Sequence, residues 1–421
     1  MGLVCFYVST LFRALPRPGQ ARGRWLALLI GVAALVVYLV PRLLAPRPQW
    51  PMWDVNVYWW GGTRALHDAT LYAAHEPRSF TYPPFAAALF GLAGGAPEIV
   101  LKVSMVVLSL ASLGWLAWLS IREAGWLPRP EWTVAVTTLA LLLQPVMYTL
   151  HLGEVNLILA ALIAADLLRR HDGAWWQGIA TGVAAGVKLT PLIFVAYLLV
   201  TRRPRAAAAA TLTFAGTVAA GFVLLPGQSH LFWLRGVFLD QRRIGNNFNP
   251  ANQSLAGMMA RLGGGLPAVR PEWIAAALLT GAGGLAVAAL LHRRGQRLAG
   301  LACCGLTGVL VSPISWTHHW VWLVPLLVAL AAAAWRRRSL ILSLATVALF
   351  AAFANLDPMP WPGPHPSLLR TLAGNLYVLC GLAVLVAAAL FLARNRTRSR
   401  RHRRPHPPAR RAEPVTHNLE Q

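Results

Sequence analysis

Of 421 residues, 57% are hydrophobic and only 12% are charged, and the 38 Lys and Arg outnumber the 14 Asp and Glu to leave a formal charge of +24. So little charged surface cannot cover so large an apolar core, which excludes an ordinary soluble globular domain. The same hydrophobicity excludes a disordered nucleic-acid-binding chain and leaves a polytopic membrane protein whose arginines mark its cytoplasmic face.

In chain order, the first residues (MGLVCFYVSTLF) are apolar but lack the order of a secretory signal, because their positive charges follow the apolar run. Runs long enough to span a bilayer, about 20 residues each, fall near 25–44, 98–120, 131–149, 154–169, 206–226, 272–291, 298–313, 316–335, 339–355 and 369–393. Two segments are ambiguous. Residues 82–94 are apolar but short, and 175–201 reads as one long helix or two half-helices broken around Lys188 and Pro191.

The positive-inside rule resolves both. Arg13, Arg17, Arg22 and Arg24 place the N-terminus inside. With 82–94 lying on the outer interface and 175–201 turning in and back, Arg122/Arg129, Arg169/Arg170, Arg202/Arg203/Arg205, Arg293/Arg294/Arg297, Arg336–Arg338 and the tail arginines all fall inside. Arg42 and Arg47 dissent. The expectation is an all-α bundle of about twelve transmembrane segments with both termini cytoplasmic. It divides into a cytoplasmic N-terminus (1–24), a membrane domain (25–393) with large outer loops near 45–97 and 227–271, and a basic tail (394–421). That tail reads as disordered and drawn to anionic lipid headgroups, with RNA binding the weaker alternative. Cys5, Cys303, Cys304 and Cys380 sit in apolar stretches with no zinc or disulfide spacing. No HExxH, DxD or GxGxxG pattern announces a metal or nucleotide cofactor.

In this orientation Asp54, Asp68, Glu76, Glu98, Glu154, Asp240 and Asp357 fall on or near the outer face. Acids gathered opposite the arginines place the chemistry outside. In the first loop Asp54 stands among Trp53, Tyr58, Trp59 and Trp60. A carboxylate in such an aromatic wall is partly desolvated, which raises its pKa and makes it a competent base; the plainer alternative is a helix N-cap. Glu154 and Asn156, in a tight turn after His151, are cap residues or site residues. Lys188, at the expected break, is a costly intramembrane charge and so a functional candidate, or else a lysine snorkelling to the surface. In the loop 227–271, Arg242 and Arg243 suit a phosphate or lipid headgroups, and Asn246, Asn247, Asn252, Gln253 and Ser254 suit sugar hydroxyls or loop capping. His318 and His319 diverge by about 100° if helical, so one faces a cavity while the other packs.

Taken together, Asp54-x-x-Val57-Tyr58-x-x-Gly61-Gly62, Leu71-Tyr72, Tyr82-Pro83-Pro84, Gly182…Gly186-x-Lys188-x-x-Pro191, Asn252-Gln253-Ser254-Leu255-x-Gly257 and Ser312-Pro313-x-Ser315-Trp316-x-His318-His319 resemble glycosyltransferase family 87. The motifs run in the family's order from Asp54 to about Trp320. The resemblance implies a GT-C bundle with a long first outer loop carrying the catalytic acid and juxtamembrane helices. It also implies a polyprenol-phosphate-mannose donor, a glycolipid or lipoglycan acceptor, and no nucleotide sugar. Members often carry Gln where this chain has Glu154, which leaves that residue's role open.

On that basis Asp54 is expected to be the general base. Lys188, Arg242, Arg243 and one of His318/His319 are expected at phosphate and acceptor, and Tyr58, Trp59 and Tyr82 form walls for sugar or prenyl chain. Competing expectations are arabinofuranosyl transfer from a polyprenol-phosphate donor, a multi-pass transporter or flippase, and a non-catalytic subunit of another envelope enzyme.

Overall fold

The structure, a computed structural model, describes residues 32, 52–67, 70–72, 80–168, 174–266, 269–354 and 367–401, with side chains as far as 394. The expected first span at 25–44 and the tail beyond 401 lie outside the described residues. Within them, all regular structure is helical apart from two isolated bridges, Leu143–Ala354 and Asn252–Trp316.

After helical Val32, the first helices of the described residues are short, α1 (Trp53–Leu66) and α2 (Pro84–Gly91), and neither is long enough to cross a bilayer. The segment 82–94 therefore holds only a short helix, as its length predicts. The two helices pack directly on one another. Gly62 makes this possible, since a Cβ there would stand 2.6 Å from the backbone of Phe90.

The bundle follows with α3 (Glu98–Glu123), α4 (Pro130–Ala140), α5 (Gln144–Leu152), α6 (Asn156–Leu167), α7 (Ile179–Val187), α8 (Ile193–Val200) and α9 (Pro204–Leu224). After the second large loop come α10 (Leu255–Leu262), α11 (Arg270–Arg293), α12 (Arg297–Val311), α13 (Leu323–Arg337), α14 (Leu340–Phe353), α15 (Leu368–Gly374) and α16 (Leu376–Arg401). Among the described residues, five stretches are long and apolar enough to span: α3, α9, α11, Thr317–Arg337 and Leu376–Arg394. A sixth would be the pair α5/α6, bent by 117° at its break, and Thr190–Val200, α12 and α14 are shorter apolar helices. The protein is thus a multi-pass helical membrane protein.

Three expected spans are interrupted. The run 131–149 divides into α4 and α5: α4 ends at Ala140, Leu143 is extended (φ −79°, ψ 127°), and Pro145 sits in the first turn of α5, where its missing N–H is no loss. The run 316–335 opens as a 3-10 turn, Thr317–Trp322, before α13 begins. The run 369–393 divides at Asn375 into α15 and α16, and α16 continues to Arg401. The pair 175–201 is broken where its sequence suggests: α7 ends at Lys188, whose backbone is extended (φ −146°, ψ 136°), and a 3-10 turn at Thr190–Leu192 leads into α8.

The helices sort their charges by end. At one end, arginines close exposed helix C-termini: Arg122 donates to Leu168 O (2.9 Å), Arg297 to Leu167 O (3.1 Å), Arg293 to Val200 O (2.8 Å) and Arg336 to Ala124 O. Cations at helix C-termini satisfy orphan carbonyls and oppose the negative pole of the helix. The opposite ends of α6, α7, α8 and α12 meet the α5–α6 turn, the Lys188 break and the 3-10 turn at Thr317. The site forms there.

Candidate active site

Gly153 terminates α5 in the left-handed region (φ 70°), so the chain reverses within two residues and delivers Glu154 and Asn156 inward. Neither caps α6, whose N-cap is Val155 with no side-chain cap bond. Glu154 is buried at 1% exposure, and its Oε1 accepts three hydrogen bonds: from Tyr58 Oη (3.1 Å), Tyr82 Oη (2.8 Å) and Lys188 Nζ (3.0 Å). The two tyrosines also contact each other, Oη to Oη at 3.0 Å, and Tyr58 stacks on Phe90. A buried carboxylate must be paired and hydrogen-bonded to be tolerated, and Oε1 meets that condition. Oε2 makes no hydrogen bond among the described residues; His318 Nε2 stands 4.0 Å away.

Lys188 reaches this carboxylate because the break after α7 frees it from the helix. Its ammonium also donates to Asn156 Oδ1 (3.0 Å) and bonds His319 Nε2 (3.2 Å), and it lies 5.8 Å from the Tyr82 ring. The 3-10 turn sets the histidine rings edge to face, 4.8 Å apart at 85°, so His318 turns toward Glu154 and His319 toward Lys188. Asn156 Nδ2 and Thr149 Oγ1 both donate to His318 O (3.0 Å each), tying the turn to α5 and α6. A cavity of about 40 Å³ adjoins the cluster, its polar lining being Asn156, Thr190 and His319.

Asp54 lies in the first turn of α1, whose N-cap is Met52, so it is not the cap residue. It is half-buried and makes no hydrogen bond or ion pair among the described residues. Burial first, then the charge of Glu154, push its carboxyl from 3.8 up to about 8, against the opposing pull of Lys188. A carboxyl poised near neutrality is suited to accept a proton.

Tyr58, Tyr82, Glu154, Asn156, Lys188, His318 and His319 are thus gathered into one cluster, with Asp54 within its electrostatic reach. The remaining expected site residues lie elsewhere. Trp59 donates to Ala96 O (3.2 Å) beside the α2–α3 connection. Arg242 is 94% exposed and pairs with Asp240 at 3.2 Å. Arg243 stands near the Tyr72 phenol. Asn252 and Gln253 are fully buried in the support of the histidine turn. Asn252 Oδ1 accepts from Ser315 N (3.0 Å) and Ser254 Oγ (2.9 Å), and Gln253 N donates to Ser315 O (2.7 Å). The Gln253 side chain spans the α15–α16 break, donating to Gly374 O (2.8 Å) and accepting from Tyr377 N (3.2 Å).

Two residues not singled out from the sequence carry weight here. Arg261 donates to Asn249 O and Asn252 O (3.0 Å each) and to Asn375 Oδ1 (2.6 Å), bracing the same support. Its position on α10, three residues after Met258 and four after Gly257, gave no local sign of burial. Asp166, 1% exposed, accepts from Gly178 N, Thr181 N and Thr181 Oγ1 at 2.8–3.0 Å and so caps α7.

Donor atoms of Glu154, His318 and His319 lie within 4.8 Å of one another, close enough to hold a metal ion. The Lys188 ammonium, however, already bonds two of the three, and a divalent cation there would face it at short range.

A multi-pass helical protein that gathers a desolvated carboxyl, a lysine and two histidines at one end of its bundle has the makings of a membrane-embedded enzyme. The model of glycosyltransferase family 87 matches residues 80–313, and the chain belongs to that family. It is a membrane glycosyltransferase.

Among its relatives, the polyprenol-phosphate-mannose-dependent alpha-(1-2)-phosphatidylinositol mannoside mannosyltransferase of Mycobacterium tuberculosis is 31% identical, over 91% of this chain and 96% of that protein. The polyprenol-phosphate-mannose-dependent alpha-(1-2)-phosphatidylinositol pentamannoside mannosyltransferase of the same species is 33% identical over 88% of each. Among solved structures, ArnT from Cupriavidus metallidurans bound to undecaprenyl phosphate aligns with 91% of this chain and 73% of that chain, at 19% identity and a TM-score of 0.44.

Proposed function

We propose that the protein transfers a mannosyl residue from polyprenol-phosphate mannose to a hydroxyl of a phosphatidylinositol-mannoside-type glycolipid or a related lipoglycan, forming an α-1,2 linkage on the outer face of the membrane. The relatives' donor and linkage support the first part. The observation that carries the chemistry is Asp54, a carboxyl raised to about 8 beside the Glu154–Lys188–His319 cluster.

The reaction needs three things from the protein. A base must take the acceptor hydroxyl's proton, and Asp54 has the proton affinity for it. Positive or donating groups must hold the phosphate of the donor, which leaves as a phosphomonoester; the two histidines beside Lys188 form that seat. The acceptor oxygen must attack the anomeric carbon on the face opposite the phosphate, turning a β-mannosyl phosphate into an α-mannoside, and this requires base and phosphate seat on opposite sides of the sugar. Tyr58 and Tyr82 hold Glu154 and thereby Lys188 in place. The prenyl and acyl chains stay among the helices and surrounding lipid. The arginine-closed end is the cytoplasmic one in this reading, and the termini lie on that side.

Membranes carrying the protein, given labelled polyprenol-phosphate mannose and mixed phosphatidylinositol mannosides, should yield a labelled lipid whose new bond is α-1,2 by methylation analysis. No labelled lipid from this donor, or equal transfer from a polyprenol-phosphate arabinose donor, would overturn the proposal.

A further inference from the structure

An ammonium has three protons and no lone pair, so it donates three hydrogen bonds and accepts none. Lys188 has three partners among the described residues: Glu154 Oε1 at 3.0 Å, Asn156 Oδ1 at 3.0 Å and His319 Nε2 at 3.2 Å. The amide of Asn156 is oriented by its other end, where Nδ2 donates to His318 O, so its oxygen must face the lysine. Every proton of Lys188 is therefore taken, and an anion arriving at the cluster finds none left on it.

The third bond fixes something else. Because the ammonium can only donate, His319 Nε2 must accept, and an imidazolium has no acceptor nitrogen. The ring is thus neutral with its proton on Nδ1. No described residue receives that Nδ1–H, and His319 borders the cavity beside Asn156 and Thr190.

We infer that Lys188 acts here as a positioning residue that holds His319 in the neutral Nδ1–H tautomer, and that the His319 Nδ1–H is the hydrogen-bond donor to the lipid-phosphate oxygen. This rests on the polyprenol-phosphate reading above. The lysine orients the ring, and the histidine supplies the directed bond.

Two substitutions separate the nitrogens of His319. Asn places an amide N–H near the position of Nδ1, while Gln places its polar end near Nε2. With the full-length protein in lipid nanodiscs, binding of polyprenyl phosphate itself should fall by no more than about threefold in His319→Asn and by about tenfold or more in His319→Gln, the scale of losing one charge-assisted hydrogen bond. Lys188→Gln should weaken binding in the wild-type background and add little on top of His319→Gln, since the lysine acts through the ring. Size-exclusion profiles and melting curves identify any variant that fails to fold, and the Asn/Gln comparison at His319 stands without the lysine variant.

The inference is overturned if His319→Gln binds as well as His319→Asn, or if Lys188→Gln costs the same factor in both backgrounds. A wild-type protein that neither binds polyprenyl phosphate nor transfers mannose overturns the functional reading and this inference with it. Binding by the wild type with the two His319 variants in the wrong order overturns this inference alone.

Discussion

Glu154 Oε1 lies 3.0 Å from Lys188 Nζ, and both groups are largely withdrawn from solvent, at 1% and 15% side-chain exposure. Two residues 34 positions apart, one in a glycine-terminated turn and one at a helix break, form the ionic centre around which tyrosines and histidines arrange themselves. Removing one partner of a buried pair strands the other, at a cost of about 3–5 kcal/mol. Lys188→Met should therefore destabilise the protein strongly, and Lys188→Met combined with Glu154→Gln should recover much of that loss. Thermal unfolding of the two variants in detergent gives the comparison, and equal instability would mean that the pair is not the origin of the effect.

Asp54→Asn should lower mannosyl transfer by about a hundredfold or more, in the range of lost general-base catalysis. Expression and size-exclusion behaviour should stay at wild-type levels, because no hydrogen bond of the described residues depends on this side chain. Retention of wild-type turnover would remove Asp54 from the mechanism.

The pH dependence follows from the same carboxyl. Its basic form is the carboxylate, so kcat/KM should rise with pH and level off above about 8. Glu154→Gln removes a negative charge that holds the proton on Asp54, which should move the rising limb to lower pH. A limb that stays in place would show that the charge of Glu154 does not act on Asp54. The folded protein also binds this proton more tightly than the unfolded chain, where the group titrates near 3.8. Its contribution to stability is complete below that value and is lost as pH rises through about 8. Asp54→Asn should accordingly melt higher than wild type at about pH 8 and at the same temperature near pH 4.

Gln253→Ala should cost about 1–3 kcal/mol, the penalty for leaving a buried donor and acceptor unpaired at Tyr377 N and Gly374 O. Because the loop that carries Gln253 also holds Ser315 by backbone, loosening it at the α15–α16 break should carry to the histidine turn, and activity should fall alongside melting temperature. Full activity in a destabilised variant would separate the helix break from the histidine turn.

Gly153→Ala tests the turn itself. The residue sits at φ 70°, and a Cβ there would run into the Val55 side chain of α1, the helix that carries Asp54. The substitution should both destabilise the protein and depress turnover, as measured by melting temperature and mannosyl transfer; a neutral result would mean that the turn and α1 are not in register.

The polar core of the site was legible because the chain is so apolar. A lysine, a glutamate and two histidines within hydrophobic stretches are costly without partners, and they proved to be one another's partners. What the amides do was not legible. Asn252 and Gln253 suit sugar hydroxyls as well as backbone straps, and only the placement of Ser315, Gly374 and Tyr377 around them decides between these. The break at Asn375 was hidden for a related reason. Beyond Arg370 and Thr371 at its start, the apolar run of 369–393 is interrupted only by one asparagine, and that residue is held by Arg261 from more than a hundred positions away. Pro145, by contrast, is a visible local stop within the run 131–149.

The arginines at the far end have a consequence for anyone probing how the protein sits in the bilayer. Arg122, Arg293, Arg297 and Arg336 each occupy a backbone carbonyl at or just past a helix terminus. Charge-neutralising mutagenesis, the usual means of testing or inverting membrane topology, would here fray several helix ends at once. A change in reporter accessibility after such edits would mix insertion with unravelling, so the sidedness of this chain is better mapped with labels in the loops that leave these guanidinium groups alone.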